Sequence, residues 1–126
     1  NDSKATNADS ASCALECFDD IYWIVGGVPK EGGINSLEKY FPKIKRAYLI
    51  GESTEEFAEF LEGKIPYNKV DYMKNAVELA LQDVEKGVVL LSPACASFDQ
   101  YSNFEERGDE FKKLVLNYSK SGKLNT

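Results

Sequence analysis

Val88-Val89-Leu90-Leu91-Ser92-Pro93-Ala94-Cys95-Ala96-Ser97-Phe98-Asp99-Gln100 is the stretch from which the fold can be inferred. It begins as an apolar run typical of a buried strand, breaks at Ser92-Pro93 and passes through small residues toward a helix. Small side chains let a ligand approach the backbone, and the start of a helix offers unpaired N–H groups to an anion. The stretch therefore predicts a strand-to-helix connection that serves either packing or anion binding.

Apolar runs and helical periodicities alternate along the rest of the chain. Strands are predicted at Ile21–Val25, Ala47–Ile50, Tyr67–Val70 and Val88–Leu91. Helices are predicted from Ala8 to about Asp19, around Ser36–Phe41, from Ser53 to Leu61 with a Ser53/Glu56 capping box, from Met73 to Lys86, and from Phe104 to Tyr118. This alternation predicts an α/β domain over residues 1–118, a three-layer αβα, Rossmann-like fold with a mostly parallel sheet, and a polar tail over 119–126.

Two loops follow the two most apolar strands of the predicted sheet. Gly26-Gly27 ends the first strand and Ser92-Pro93 ends the last one. Ligands of such folds bind beyond the carboxyl ends of the strands, so we expect both loops on one edge. Lys30 is either a solvated lysine or the positive charge of an anion site there. The segment Asn1–Asn7 is either a polar entry to the first helix or a further wall of that site.

Composition excludes several classes of function. The chain has 126 residues, 43% hydrophobic and 29% charged, with a net charge of −6, which fits one globular domain and argues against a nucleic-acid or anionic-membrane surface. Without histidine there is no histidine base, and no P-loop sequence is present. The three cysteines predict no disulfide framework and no metal site but suit a reducing cytoplasm, with Cys13 and Cys17 expected to be buried on the first helix. Because the chain begins with Asn rather than Met, we expect a domain of a longer protein.

Three motifs in order resemble the C-terminal domain of the Mur ligases. They are Asn1-Asp2-Ser3-Lys4-Ala5-Thr6-Asn7, Gly26-Gly27-x-x-Lys30, and Ser92-Pro93-Ala94-Cys95-Ala96-Ser97-x-Asp99-Gln100 followed by Asn103-Phe104-x-x-Arg107-Gly108. The resemblance extends from Asn1 to about Leu116, and it is strongest to the members that add D-glutamate. It implies one domain of a cytoplasmic, ATP-dependent, amide-bond-forming ligase of peptidoglycan synthesis, and hence a role in cell-wall biogenesis, cell shape and cell division.

The resemblance also implies partners and cofactors. D-glutamate would be joined to UDP-N-acetylmuramoyl-L-alanine through an acyl phosphate, with ATP and Mg²⁺ bound mainly by an N-terminal and a central domain outside this chain. The chain alone is then expected to be inactive, with no catalytic residue and no metal ligand of its own. Neither nucleic acid nor a membrane is expected as a partner.

The resemblance assigns roles to seven residues. Lys30 and Thr6 would bind the α-carboxylate of the glutamate, and Ser97 and the Phe104 N–H its side-chain carboxylate, with Phe98 beside them. Asp2 and Lys4 would face the nucleotide. Two alternatives stay open at this point: a non-catalytic α/β module that binds another anion, and a Mur ligase that adds a different amino acid.

Overall fold

Strands and helices alternate throughout the computed structural model, which describes residues 1–120. The elements are α1 (Ala8–Cys17), β1 (Ile21–Gly26), a 3₁₀ segment (Asn35–Lys43), β2 (Ile44–Ile50), α2 (Thr54–Leu61), β3 (Tyr67–Asp71), α3 (Met73–Asp83), β4 (Val88–Leu91) and α4 (Phe104–Lys120). None of the helices among these residues is long and apolar enough to cross a bilayer.

The four strands form one sheet in the order β3-β2-β1-β4. Every pair is parallel: β1 aligns Ile24 with Tyr48 of β2 on one side and with Leu91 of β4 on the other. Parallel strands need helical crossovers, which cover both faces of the sheet, so the central strands are apolar throughout. The predicted three-layer α/β fold is confirmed.

Side chains of β1 alternate between two separate hydrophobic cores. Trp23 and Val25 pack with α1, α2 and the 3₁₀ segment on one face. Ile24 packs with α3 and α4 on the other face, where Phe111 of α4 is also buried. Because successive residues of a strand point to opposite faces, one short apolar strand supplies both cores.

Helix starts depend on capping groups, and the capping box predicted at Ser53 is wrong. Asn7 caps α1, since its side-chain oxygen accepts a hydrogen bond from the Ser10 N–H at 2.9 Å. The capping box at Ser53 does not form: the backbone of Ser53 is already helical and its side chain makes no cap hydrogen bond. Its hydroxyl instead accepts a hydrogen bond from the Gly27 N–H at 3.2 Å. Tertiary contact with the β1 loop has replaced the local cap.

Three further predictions change at their boundaries or in burial. Helix α3 ends at Asp83 rather than Lys86, because Val84 is extended. Cys13 and Cys17 are exposed, not buried, because α1 turns Ala11 and Leu15 toward the core. Helix α4 continues through Lys120, and the rest of the predicted polar tail lies outside the described residues. The boundary of the domain at residue 118 stays a prediction.

Candidate substrate-binding rim

Two loops meet at the carboxyl edge of the sheet, and residues 26–30 and 92–100 are called the rim below. The Gly26 N–H donates to the Pro93 carbonyl at 3.0 Å. Val28 and Ala96 pair as an isolated antiparallel bridge, with N–H···O distances of 2.9 and 3.1 Å. The expectation that both loops lie on one edge is therefore confirmed.

Glycine is required where the 26–30 loop passes close to β2 and to the 92–100 loop. Gly26 has φ of 135°, and a Cβ there would stand 2.0 Å from the Ile50 carbonyl oxygen. Gly27 has φ of 141°, and a Cβ there would stand 2.3 Å from the Ala96 carbonyl oxygen. Both backbone conformation and contact distance exclude a side chain at these positions.

The 92–100 loop is tied by hydrogen bonds to β1, to the residues that follow β2 and to the end of β3. The indole N–H of Trp23 in β1 donates to the Ser92 carbonyl at 2.8 Å. Asp99 accepts a hydrogen bond from the Glu52 N–H, beyond β2, at 2.8 Å. The Gln100 amide donates to the carbonyl of Asp71, the last residue of β3, at 2.7 Å. The sequence contained Asp99 and Gln100 in a motif but did not reveal that they fix the rim to the sheet.

The N-terminal segment lies beside the end of β4. The Asp2 N–H donates to the Leu91 carbonyl at 2.6 Å, and the Asp2 carboxylate accepts a hydrogen bond from the Ser92 hydroxyl at 2.9 Å. Lys4 is exposed and borders a surface hollow with Phe104 and Lys112. Asp2 and Lys4 thus lie next to the rim and the start of α4.

The first turn of α4 presents free backbone donors. Asn103 accepts a hydrogen bond from the Glu106 N–H at 2.8 Å and so caps this turn. The Phe104 N–H belongs to the first helical residue and has no partner within the helix. Phe104 itself is half-buried, so its N–H is held in a defined place next to the N-terminal segment.

Lys30 lies near Asn7, the residue that follows Thr6 in the chain. Lys30 is exposed and lines, with Asn7, a hollow of about 360 Å³. Thr6, the neighbour of Asn7, is half-buried. Among the described side chains, those of residues 1–118, neither the Lys30 ammonium nor the Thr6 hydroxyl has a hydrogen-bond or ion-pair partner. Both donors are therefore available to a ligand.

Ser97 and Phe98 follow one another on the rim but differ in exposure. Ser97 is buried, and its carbonyl accepts hydrogen bonds from the N–H groups of Gln100 and Tyr101. Phe98 is 72% exposed, so its ring lies on the surface beside the buried Ser97. The structure thus places all seven predicted residues at or next to one edge, without direct contacts among Lys30, Thr6 and Ser97.

Cys95 lies in the middle of the rim motif and is fully buried. Burial raises the pKa of its thiol to about 12, although the hydrogen bond to Ser53 and the charge of Arg107 act in the opposite direction. The thiol is therefore protonated at neutral pH, and a protonated thiol is a poor nucleophile. Cys95 fills space beneath the rim.

A larger hollow of about 690 Å³ lies between the ends of β2 and β3 and the start of α4. Its lining includes Glu52, Asp71, Glu106 and Glu110, against the single lysine Lys74. This excess of negative charge disfavours a dicarboxylate. Among the residues that the structure describes, no group of three or more acidic or thiol side chains is arranged to hold a metal ion.

Comparison with known proteins identifies relatives over almost the whole chain. UDP-N-acetylmuramoylalanine–D-glutamate ligases from Rhodopseudomonas palustris and Agrobacterium fabrum are 57% and 59% identical over 120 residues, which is 91% of this chain and 26% of each relative. The ligase of the same name from Paramagnetospirillum magneticum is 54% identical over 97% of this chain and 28% of its own length. No protein-family model matches.

The chain thus spans about a quarter of the length of the curated relatives that it matches. The single sheet with a hydrophobic core on each face has the size and organisation of one domain. The chain is therefore similar to one domain-sized segment of the UDP-N-acetylmuramoylalanine–D-glutamate ligases, which confirms the resemblance to the Mur ligases seen in its motifs.

Proposed function

We propose that this chain is the C-terminal, amino-acid-binding domain of an ATP-dependent ligase that joins D-glutamate to UDP-N-acetylmuramoyl-L-alanine in peptidoglycan precursor synthesis. The names of relatives that are 54% to 59% identical support this function. The observation that carries it is the Val28–Ala96 bridge, which joins the loop bearing Lys30 to the loop bearing Ser97. Donors for two carboxylates are thereby held on one edge.

D-glutamate carries two carboxylates and needs two sets of donors. In this proposal the Lys30 ammonium and the Thr6 hydroxyl bind the α-carboxylate, since charge-assisted hydrogen bonds are the strongest available. The Ser97 hydroxyl and the Phe104 N–H bind the side-chain carboxylate at the start of α4, where the helix dipole favours an anion. Phe98 borders the bound amino acid.

The phosphoryl chemistry belongs to the rest of the enzyme in this proposal. ATP with Mg²⁺ would activate the L-alanine carboxylate as an acyl phosphate, and the sequence of this chain contains no P-loop for ATP. The described residues of this chain offer no group of side chains that fits Mg²⁺. The task of this chain is to orient the D-glutamate amine for attack and to help exclude water, with Asp2 and Lys4 facing the nucleotide.

Domain closure is then essential, and the reaction takes place in the cytoplasm, where the nucleotide substrates are found. We expect the chain alone to be inactive: mixed with ATP, UDP-N-acetylmuramoyl-L-alanine and D-glutamate, it should release no phosphate.

The test is the Lys30→Ala substitution in the whole ligase that contains this chain. Removal of the ammonium should raise the KM for D-glutamate by at least about tenfold and leave the KM for ATP within about twofold. The matched control is Lys86→Ala, an exposed lysine before β4 at the opposite edge of the sheet. An unchanged KM for D-glutamate would remove Lys30 from the site.

Substrate choice tests the function itself. The wild-type ligase should use D-glutamate and reject L-lysine and diaminopimelate. Preference for either of these would indicate a ligase for another amino acid, and failure with all three would favour a module that binds some other anion.

A further inference from the structure

Among the side chains of residues 1–118, Arg107 is the only charged one that is buried, with 1% of its surface exposed. It lies in the first turn of α4, three residues after Phe104. It belongs to a motif of the sequence, but neither the motif nor the proposed function gives it a role. Burial of a cation is costly unless other groups compensate it, so its surroundings need an explanation.

Two nitrogens of Arg107 hold the N-terminal segment. Nε donates to the Ser3 hydroxyl at 2.9 Å, and Nη2 donates to the Ser3 carbonyl at 2.7 Å. The Ser3 hydroxyl in turn donates to the Phe104 carbonyl at 2.7 Å. Arg107 and Ser3 therefore connect the segment that carries Thr6 with the helical turn that carries the Phe104 N–H.

The third nitrogen, Nη1, is buried and has no hydrogen-bond partner. It lies 3.3 Å from the point where a Cβ on Gly27 would stand, under the crossing of the two rim loops near Cys95. None of the ion pairs between described residues involves Arg107. Burial lowers the pKa of its guanidinium, but an arginine remains protonated at neutral pH. Arg107 thus carries a positive charge beneath the rim with no ion-pair partner among the described residues, and the Asp99 carboxylate acts on that charge through space.

We propose that Arg107 is a positioning residue of the D-glutamate site. It fixes the Thr6 segment against the start of α4, and its unpaired charge beneath the rim favours an amino acid with two carboxylates. This inference rests on the proposed function. It adds a residue that touches no substrate but sets both the geometry and the electrostatic potential of the groups that do.

The test compares Arg107→Lys and Arg107→Met in the whole ligase. Lysine keeps the charge and loses the planar fork that holds Ser3, whereas methionine loses both. We expect the KM for D-glutamate to rise about fivefold in the lysine variant and at least about thirtyfold in the methionine variant. The KM values for ATP and for UDP-N-acetylmuramoyl-L-alanine should stay within about twofold, a split that a loss of folded enzyme would not produce.

The matched control is Arg46→Met, which changes the only other arginine of the chain. Arg46 lies in β2 away from its carboxyl end and donates to the Asn68 side chain at 2.8 Å. This variant should leave the KM for D-glutamate unchanged. If circular dichroism shows that Arg107→Met does not fold, Arg107→Lys and Ser3→Ala test the inference instead. Ser3→Ala removes the hydroxyl that bonds to the Phe104 carbonyl and should raise the KM for D-glutamate about threefold.

The inference is overturned if the folded Arg107→Lys and Ser3→Ala variants keep the wild-type KM for D-glutamate, or if all three KM values rise together. Wild-type enzyme that does not use D-glutamate would overturn the proposed function as well. Wild-type enzyme that uses D-glutamate, with Arg107 variants of unchanged KM, would overturn only the role of Arg107.

Discussion

Gly26 is the residue at which β1 leaves the sheet and becomes the rim. Its N–H is bonded to the Pro93 carbonyl, and its Cα lies against the Ile50 carbonyl of β2. Two adjacent glycines after an apolar run predict a turn from the sequence alone. The sequence does not show why glycine is required at Gly26, because the group that excludes a side chain there is the Ile50 carbonyl of β2.

Gly26→Ala should therefore destabilise the domain strongly. A Cβ 2.0 Å from a backbone oxygen, at φ of 135°, must displace a sheet strand, and we expect a loss of at least about 3 kcal/mol in the free energy of unfolding. Gly63→Ala is the control, because φ there is also positive, at 79°, but the Cβ would meet nothing within 4 Å. Urea denaturation of both variants measures the difference. Equal losses would show that contact with Ile50 does not matter.

Among the secondary-structure elements, three neighbouring strands are linked by the 92–100 loop. Hydrogen bonds connect Ser92 to β1, Asp99 to Glu52 beyond β2, and Gln100 to β3. These hydrogen bonds fix the conformation of a loop whose small side chains form no hydrophobic core. A fixed conformation holds the hydrogen-bond donors of the loop in place for a ligand.

Asp99→Ala should loosen this loop at one point only. The Glu52 N–H would lose its acceptor, and the free energy of unfolding should fall by about 1 kcal/mol. Amide hydrogen exchange should show faster exchange at Glu52, whereas the Gly26 N–H, bonded to Pro93, should keep its protection. Unchanged exchange at Glu52 would contradict the tie.

The sequence predicted the order and type of the elements because apolar runs and helical periodicity are local signals. The prediction is wrong where a group distant in sequence takes the hydrogen bond that a local cap would make. The Ser53 hydroxyl pairs with Gly27 instead of capping α2. The seven site residues could be placed on one edge from strand ends and a family resemblance, but Arg107 could not be distinguished from a surface arginine, since its burial depends on Ser3, 104 residues away.

At the scale of the whole molecule, burial of acidic groups couples stability to alkaline pH. Burial raises the pKa of the Cys95 thiol to about 12, and burial followed by hydrogen bonding to Asp83 and Glu110 raises the pKa values of Tyr48 and Tyr101. These groups stay protonated in the folded state while the unfolded chain ionises at lower pH. The unfolded state then binds fewer protons, so stability is retained below the ordinary pKa values and falls as pH rises above them.

The free energy of unfolding should accordingly decline from about pH 8.5 upward, with Cys95 contributing a slope of at most about 1.4 kcal/mol per pH unit. Cys95→Ala should flatten the decline. Cys13→Ala, which changes an exposed thiol, should leave the wild-type slope. Urea titrations between pH 8 and pH 11 measure these slopes; identical slopes in all three proteins would contradict the coupling.

The rim is the proposed binding site of D-glutamate, and this assignment can be tested by amide NMR of the chain titrated with the glutamylated product, UDP-N-acetylmuramoyl-L-alanyl-D-glutamate. Chemical shift changes should cluster at Thr6, Lys30, Ser97 and Phe104, and the Lys30→Ala variant should lose them at the same product concentration. Shifts confined to the acidic hollow around Tyr72 and Lys74, or no shifts at any residue up to millimolar product, would contradict the assignment of D-glutamate to the rim.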